Sequence, residues 1–198
     1  MNKFHSFAKA GLATVLLATG SAVLAASAND VLPEIKAIAA KPEVIAAVKA
    51  QNAQSLSIDA IKAMDGKWIA ASGGLPEGKA MMDSPTSKAL LAAEKAKRYF
   101  TETILTDNQG ANVAISAMTS DYWQGDEIKY QQVFAQPVSH LLDSVRFDAS
   151  SQRFLVQLTV PVNNAQGEPL GALTLGLDVE LSLQYCQRNG ISPGYCVD

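Results

Sequence analysis

The sequence predicts an exported α+β domain, with an antiparallel sheet of about five strands and helices packed on one of its faces. Three observations support this prediction. The chain begins with a leader typical of secreted proteins. Residues from about 31 to 98 place apolar side chains at helical spacing, whereas later residues alternate between apolar and polar. A run of helices followed by a run of strands is typical of α+β folds.

The leader has the three parts of a secretory signal peptide. Lys3 and Lys9 precede an apolar run over residues 10–26, and the run ends in small residues before Ala28. We predict a signal peptide over residues 1–28, a single domain over 29–198, and a periplasmic location. A retained membrane anchor is the alternative, but the run is marginal for a span of about 20 apolar residues.

Charge excludes one class of partner. The chain has 16 Lys+Arg against 19 Asp+Glu, and its net charge is −3. Without residues 1–28 it loses two lysines and one histidine, which leaves 14 basic against 19 acidic residues and a net charge of −5. A nucleic-acid partner requires a basic surface, so none is expected. No later segment is apolar enough to span a membrane, so the cleaved chain is not expected to be membrane-spanning.

The two cysteines predict a disulfide. Cys186 and Cys196 are separated by two turn-forming pairs, Asn189-Gly190 and Pro193-Gly194, which bend the chain back. An oxidising compartment favours the bond, which stabilises a short loop by about 2–3 kcal/mol. A metal site would need further His or Cys ligands nearby, and a redox pair usually has the spacing Cys-x-x-Cys. We therefore predict a structural disulfide and no metal.

Helices are predicted over most of the first hundred residues. Apolar residues follow Val31 at positions i+4, i+7 and i+8, and Pro42 is expected to kink this helix or restart it in its first turn. A shorter helix is predicted over 58–66, and Ser84-Pro85 begins another that runs to about residue 98. Residues 67–83 contain paired glycines and a proline, which predict an irregular loop.

Strands are predicted in the second half, with a short helix over 126–135 among them. Turn-forming residues at 107–110 and 163–167 separate two pairs of strands. The last two strands each have one strongly apolar face and one smaller, more polar face, as expected when only one face of a sheet packs on helices. The predicted strands cover residues 101–106, 112–117, 142–148, 153–162 and 169–178.

No enzyme signature is complete. The spacing of Gly73, Gly78 and Lys79 matches most of a phosphate-binding loop, but Ala80 stands where Ser or Thr belongs. A Ser-His-Asp triad would have to use His140, the only histidine after the leader. We therefore predict a protein that is not an enzyme and needs no cofactor. A hydrolase that uses His140 is the less favoured alternative.

One stretch is unusually dense in functional groups. Residues 120–127 contain two adjacent aromatic residues and three carboxylates, and Tyr130 follows one helical turn later. Aromatic faces can hold an ammonium group by cation–π attraction, and carboxylates fix the orientation of a ligand. The structural interpretation is a helix start, with Asp126 as cap or first-turn acid and Trp123 in the core. Composition alone leaves both interpretations open.

The segment from about 103 to 179 resembles the Cache/PDC family of extracytoplasmic, PAS-like sensor domains. The matching residues are the hairpin over 104–114, the stretch T-S-D-Y-W-Q-G-D-E over 119–127, and the strand pair over 160–162 and 167–178. Residues 51–52 and 65–68 of the predicted helices also look like this family. We call residues 119–127 the pocket loop, because the resemblance places the family's ligand pocket there.

The resemblance implies a PAS-like Cache fold, with long N-terminal helices on one face of the sheet and a ligand cavity on the other. It implies a ligand that is a small polar metabolite, such as an amino acid, an amine or a carboxylate. The acidic stretch favours an ammonium group, although Arg98, Arg146 or Arg153 could bind a carboxylate. The ligand-binding candidates are Asp121, Tyr122, Trp123, Asp126, Tyr130 and Asp178.

Sensor domains of this family usually precede a second transmembrane helix and an output module, and this sequence shows neither. We therefore expect ligand occupancy to be reported to a separate membrane partner, a receptor or a sensor kinase. The alternative is a ligand-free interaction module of PAS-like fold, in which the aromatic residues of the pocket loop fill a core.

Overall fold

The computed structural model describes residues 31–72, 74–136, 138–148 and 152–189. Five helices come first, then a sheet of six strands with a short helical segment inserted, and a last helix. The predicted signal peptide over 1–28 lies outside the described residues. Within the described ranges no helix has the length and apolar character needed to cross a membrane. The first five helices are α1 (Val31–Ala39), α2 (Pro42–Asn52), α3 (Ile58–Ala70), α4 (Pro76–Asp83) and α5 (Pro85–Lys95).

Two of the predicted helix starts are confirmed. Pro42 lies in the first turn of α2, where its missing N–H costs no hydrogen bond, so the apolar stripe restarts there. Ser84 is the N-cap of α5, since its side chain accepts a hydrogen bond of 3.1 Å from the backbone N–H of Ser87. Local sequence chemistry therefore decides both starts.

The prediction of an irregular loop over 67–83 is wrong for most of this segment, which is helical. Helix α3 continues through Gly66 to Ala70, and α4 occupies the second half of the segment. Pro76 begins α4 in its first turn, where proline favours a helix. Trp68, fully buried near the end of α3, adds tertiary packing that offsets the low helix propensity of glycine.

The six strands form one antiparallel sheet in the order β2-β1-β6-β5-β3, with β4 paired to β5 beside β3. Both predicted hairpins are confirmed. The single strand predicted over 142–148 is instead two short strands, β3 and β4, which both pair with β5. The strands are β1 (Phe100–Thr106), β2 (Asn112–Ile115), β3 (Leu141–Leu142), β4 (Arg146–Asp148), β5 (Arg153–Asn163) and β6 (Pro169–Asp178).

The two faces of the sheet differ as the alternation predicts. One face packs on α1, α2 and α7 (Val179–Asn189), and it carries the leucines of β6 together with Leu105, Val156 and Leu158. The residues that alternate with these point to the other face. There the hydroxyl groups of Thr159 and Thr174 form a hydrogen bond, with their oxygen atoms 2.9 Å apart. Helix α3 packs at the edge of this second face, beside the first two strands.

Two further helical elements differ from the prediction. The short helix over 126–135 is one α-helical turn, α6 (Ile128–Tyr130), that continues as a π-helix over Gln131–Ala135. Helix α7 is not predicted from the sequence. It begins directly after β6 because the Asp178 carboxylate accepts a hydrogen bond of 2.8 Å from the Leu181 N–H. Cys186 is buried in α7, but Cys196 lies outside the described residues, so the disulfide stays a prediction.

Candidate functional site

A cavity of about 380 Å³ opens on the sheet face opposite α1 and α2. Strands β1 and β5 form its floor through Glu102, Ile104 and Gln157, which alternate with residues that face the helices. The pocket loop and the start of α6 form one wall, and the segment 143–148 forms another. The wall residues include Thr119, Ser120, Asp121, Gln124, Glu127, Lys129, Asp143, Ser144, Arg146, Phe147 and Asp148.

A row of polar contacts crosses the floor. The Lys129 ammonium lies 2.8 Å from a carboxylate oxygen of Glu127 and donates to the Gln157 side-chain oxygen at 3.0 Å. The Gln157 amide nitrogen in turn donates to the Glu102 carboxylate at 2.7 Å. Lys129 is only 5% exposed, so its charge needs these partners. The row holds the polar groups of three separate elements in fixed positions.

Asp121 presents a carboxylate to the cavity from the pocket loop. The side-chain amide of Gln124, which is 2% exposed, donates a hydrogen bond to this carboxylate. Burial raises the pKa of Asp121, because it removes the carboxylate from water, and the charges of Glu127 and Asp65 add to the effect. The Gln124 hydrogen bond and the Lys129 charge act in the opposite direction.

Helix α3 holds the pocket loop through two side chains. One Asp65 carboxylate oxygen accepts hydrogen bonds from the backbone N–H groups of Tyr122, at 2.8 Å, and Trp123, at 3.0 Å. The Trp68 indole donates to the Thr119 carbonyl at 2.9 Å. Asp65 and Trp68 belong to the residues on which the family resemblance rests, and here they position the loop without lining the cavity.

The turn between β1 and β2, together with the first residue of β2, holds the other side of the loop. The side-chain amide of Asn112 donates to the Asp121 carbonyl at 3.0 Å, and the Gln124 N–H donates to the Gly110 carbonyl at 2.7 Å. Gly110 has a φ of +83°, and a Cβ there would lie 2.5 Å from the Gly125 Cα. The turn and the loop therefore approach too closely for any side chain at Gly110.

Among the six ligand-binding candidates, the structure places Asp121 on the cavity wall and the other five elsewhere. Tyr122 is buried against Trp68, with ring centroids 5.7 Å apart. The Trp123 indole donates to the Gln109 carbonyl at 2.7 Å, and the Lys62 ammonium lies 4.6 Å from its ring centroid. The two adjacent aromatic residues thus attach the loop to α3 and to the turn after β1.

The remaining three candidates also lie outside the cavity lining. Asp126 lies in the turn that precedes α6. Tyr130 is buried and stacks on Phe134, with ring centroids 5.3 Å apart. Asp178 caps α7 and forms an ion pair with Arg153. The structure therefore does not bring the six candidates together.

Several cavity residues were not candidates. Glu102 and Gln157 lie on strands that are both hydrogen-bonded to β6, but the pairing register is needed to bring them together. The sequence signal for them is their place on the polar side of alternating strands. Arg146, named above as one of three arginines that could bind a carboxylate, lines the cavity and pairs with Asp143 at 3.3 Å.

His140 lies away from this cavity, in the segment before β3. Its Nδ1 atom is 2.9 Å from the hydroxyl oxygen of the adjacent Ser139. Partial burial lowers the pKa of His140, and the positive charge of Lys36 adds to the effect. A hydrolase that uses His140 would thus need a site separate from the cavity.

The carboxylates of the site do not form a metal centre. Within the ranges that the structure describes, no three His, Cys, Asp or Glu side chains are grouped so that they could hold a metal ion. The carboxylates of the cavity are spread over its floor and both walls. The cavity lining alternates polar groups with the apolar side chains of Ile104, Met118 and Leu155, which suits an organic ligand with several polar groups.

No protein-family model and no curated protein matches the chain. The ligand-binding domain of the Pseudomonas aeruginosa PAO1 amino-acid chemoreceptor PctC, solved with GABA, is 19% identical over 59% of this chain and 57% of that chain, with a TM-score of 0.37. The ligand-binding domain of the Campylobacter jejuni chemoreceptor Tlp3, solved with 4-methylisoleucine, is 13% identical over 83% of this chain and 64% of that one, with a TM-score of 0.38.

The sensor domain of the V. cholerae histidine kinase DctB is 13% identical over 78% of this chain and 58% of that chain, with a TM-score of 0.38. The chain spans 57% to 64% of the length of these three solved chains. The molecule itself has N-terminal helices on one face of an antiparallel sheet and a polar cavity on the other. In this architecture the chain resembles the Cache/PDC class of PAS-like sensor domains.

Proposed function

We propose that this chain is an exported, non-enzymatic binding protein that senses a small polar metabolite in the periplasm and reports its presence to a separate membrane partner. The cavity on the sheet is the observation that carries the proposal. Its volume, about 380 Å³, suits a small molecule, since ligand pockets have volumes of about 300–1,000 Å³. The reporting step rests on the sequence resemblance to sensor domains.

The polar groups of the cavity support an amino acid, an amine or a carboxylate as the ligand class. Glu102 and Asp121 offer carboxylates, Lys129 and Arg146 offer cations, and Gln157 offers an amide. The aliphatic side chains of Ile104, Met118 and Leu155 lie between these groups. A ligand-free interaction module would have its core filled at this place, and the open cavity is evidence against that alternative.

Thermal unfolding and calorimetry of the exported protein, with a panel of amino acids, amines and carboxylates, test the proposal. A ligand that binds only the folded state raises its stability by mass action, by about 2.7 kcal/mol at one hundred times the dissociation constant. We expect at least one member of the panel to raise the melting temperature, and Gln157→Leu to weaken its binding at least tenfold.

Gln184→Leu is the matched control, because it makes the same chemical change on the exposed side of α7. This variant should bind the ligand as the wild type does. Failure of every compound in the panel to bind would contradict the proposal, and so would a ligand whose affinity is the same in Gln157→Leu and in the wild type.

A further inference from the structure

Negatively charged side chains outnumber positively charged ones in the lining of the cavity. Five of them carry carboxylates and two carry cationic groups, so the lining has a formal charge of −3. The carboxylates lie on the floor and on both walls, which gives a cationic ligand favourable contacts from several directions. The charged residues are Glu102, Asp121, Glu127, Asp143, Asp148, Lys129 and Arg146.

Both cations are already engaged by carboxylates of the cavity. Lys129 pairs with Glu127 at 2.8 Å and also donates to Gln157. Arg146 pairs with Asp143 at 3.3 Å. Each of the two cations in the lining therefore already has a carboxylate partner within the cavity. The excess of carboxylates over cations in the lining therefore favours a cationic group over an anionic one among the candidate ligands.

Two carboxylates are held by amides. Glu102 accepts its hydrogen bond from the Gln157 amide at 2.7 Å, and Asp121 accepts one from Gln124. Neither carboxylate takes part in any of the ion pairs found among the described residues. An amide orients a carboxylate by donating a hydrogen bond, but it carries no positive charge of its own.

We infer that the ligand of this cavity is an organic dication of the diamine class, with one ammonium group near Glu102, the other near Asp121, and an aliphatic chain between them. The inference rests on the proposed function, because it takes the cavity to be the ligand site. A metal dication does not fit, since the carboxylates within the described ranges are not grouped as metal ligands. Ile104 and Met118 supply apolar contact for the aliphatic chain.

Calorimetry with three four-carbon compounds tests this inference, because the compounds differ only in the second end group. These are 1,4-diaminobutane, 1-aminobutane and 4-aminobutanoate. We expect the diamine to bind at least tenfold more tightly than the monoamine, and 4-aminobutanoate to bind no more tightly than the monoamine. The same series with 1,3-diaminopropane and 1,5-diaminopentane measures the spacing that the two carboxylates prefer.

Two variants test the assigned carboxylates. Glu102→Gln and Asp121→Asn remove one charge each at nearly constant volume, and both keep a side-chain oxygen that can accept from the neighbouring amide. Each should reduce the affinity for the diamine at least tenfold and change that for the monoamine less. Glu180→Gln, on the exposed side of α7, is the matched control and should leave both affinities unchanged.

The outcomes separate this inference from the proposed function. If an amino acid or a carboxylate binds more tightly than any diamine, the inference that the ligand is a dication is wrong. The proposed function is not affected by that result. A diamine that binds equally to the wild type and to both variants would overturn the assigned carboxylates. The absence of binding by every compound in the wider panel would overturn the proposed function, and with it this inference.

Discussion

At the scale of single residues, the buried and half-buried polar side chains of the cavity stabilise one another. Hydrogen bonds connect Lys129, Gln157 and Glu102. The side-chain amide of Gln124 donates a hydrogen bond to the Asp121 carboxylate. Such pairing is expected, because a buried polar group without a partner costs free energy. Asp121 could be found from the sequence as one acid in a dense motif. For Glu102 and Gln157 the sequence indicates only the polar side of a strand, because they are 55 residues apart and strand register brings them together.

The stability of the protein should depend on pH through Asp121. Its pKa is raised in the folded protein, so the folded state binds the proton more tightly than the unfolded state does. The stability that it contributes is present below the ordinary carboxyl pKa near 3.8 and is lost as the pH rises through the raised value. The melting temperature of Asp121→Asn minus that of the wild type should therefore increase as the pH rises from about 3 to 7.

Melting curves of both proteins across this pH range measure the difference. Asp59→Asn is the control, since Asp59 is an exposed acid in the first turn of α3, where a negative charge stabilises the helix. The control should show no such gain. A difference between Asp121→Asn and the wild type that does not grow with pH would contradict the assigned environment of Asp121.

At the scale of elements, the pocket loop keeps its shape because α3 and the β1–β2 turn hold it from two sides. Gly125 makes this packing possible. A Cβ at Gly125 would collide with the indole nitrogen of Trp123 and would lie 2.7 Å from the Gln109 carbonyl oxygen. The loop sequence thus combines a bulky indole with a residue that leaves room for it.

We predict that Gly125→Ala destabilises the protein by about 1–3 kcal/mol, because the indole or the turn must move to accept the methyl group. Urea unfolding at equilibrium measures the change in the free energy of unfolding. Gly66→Ala is the matched control: no atom lies within 4 Å of the added Cβ, and Gly66 lies inside α3. It should stabilise the protein by about 0.5–1 kcal/mol, since alanine favours a helix over glycine. Equal effects of the two substitutions would contradict the close contact at Gly125.

At the scale of the whole molecule, one sheet separates the apolar core from the polar cavity. Strand β6 is central and carries Leu173, Leu175 and Leu177 into the core against α1 and α2. The opposite side of the same strand carries smaller and more polar residues, such as Thr174. Removal of apolar surface from water on one face therefore stabilises the fold and leaves the other face available for polar groups.

We predict that Leu173→Ala lowers the free energy of unfolding by about 2–5 kcal/mol, because Leu173 is fully buried in the central strand and its truncation leaves a cavity. Ile69→Ala, at a position that is 54% exposed on α3, should change it by about 0.5 kcal/mol or less. Urea unfolding followed by two spectroscopic probes measures both changes. Separate transitions for the two probes in Leu173→Ala would contradict a single cooperative core.

The sequence by itself determined the elements whose signals are local. The cap at Ser84 and the two hairpins follow from residues close together in the chain, and the sequence placed a kink or a restart at Pro42, which the structure shows to be a restart. Alternation along β5 and β6 also determined which side of each strand is apolar. Helix α4 was missed because its proline and glycine also suit a loop, although Pro76 lies in the first turn of the helix, where proline is favourable.

Only the tertiary structure decided the composition of the cavity. Tyr122 and Trp123 are the most conspicuous side chains of the pocket loop, yet the Asp65 carboxylate binds their backbone N–H groups and both side chains pack outside the cavity. Strand register brings Glu102 and Gln157 to the floor. The direction of a side chain and its distant neighbours depend on contacts between elements, which spacing along the chain does not contain. The motif therefore located the wall of the cavity, and the packing of the elements selected which side chains line it.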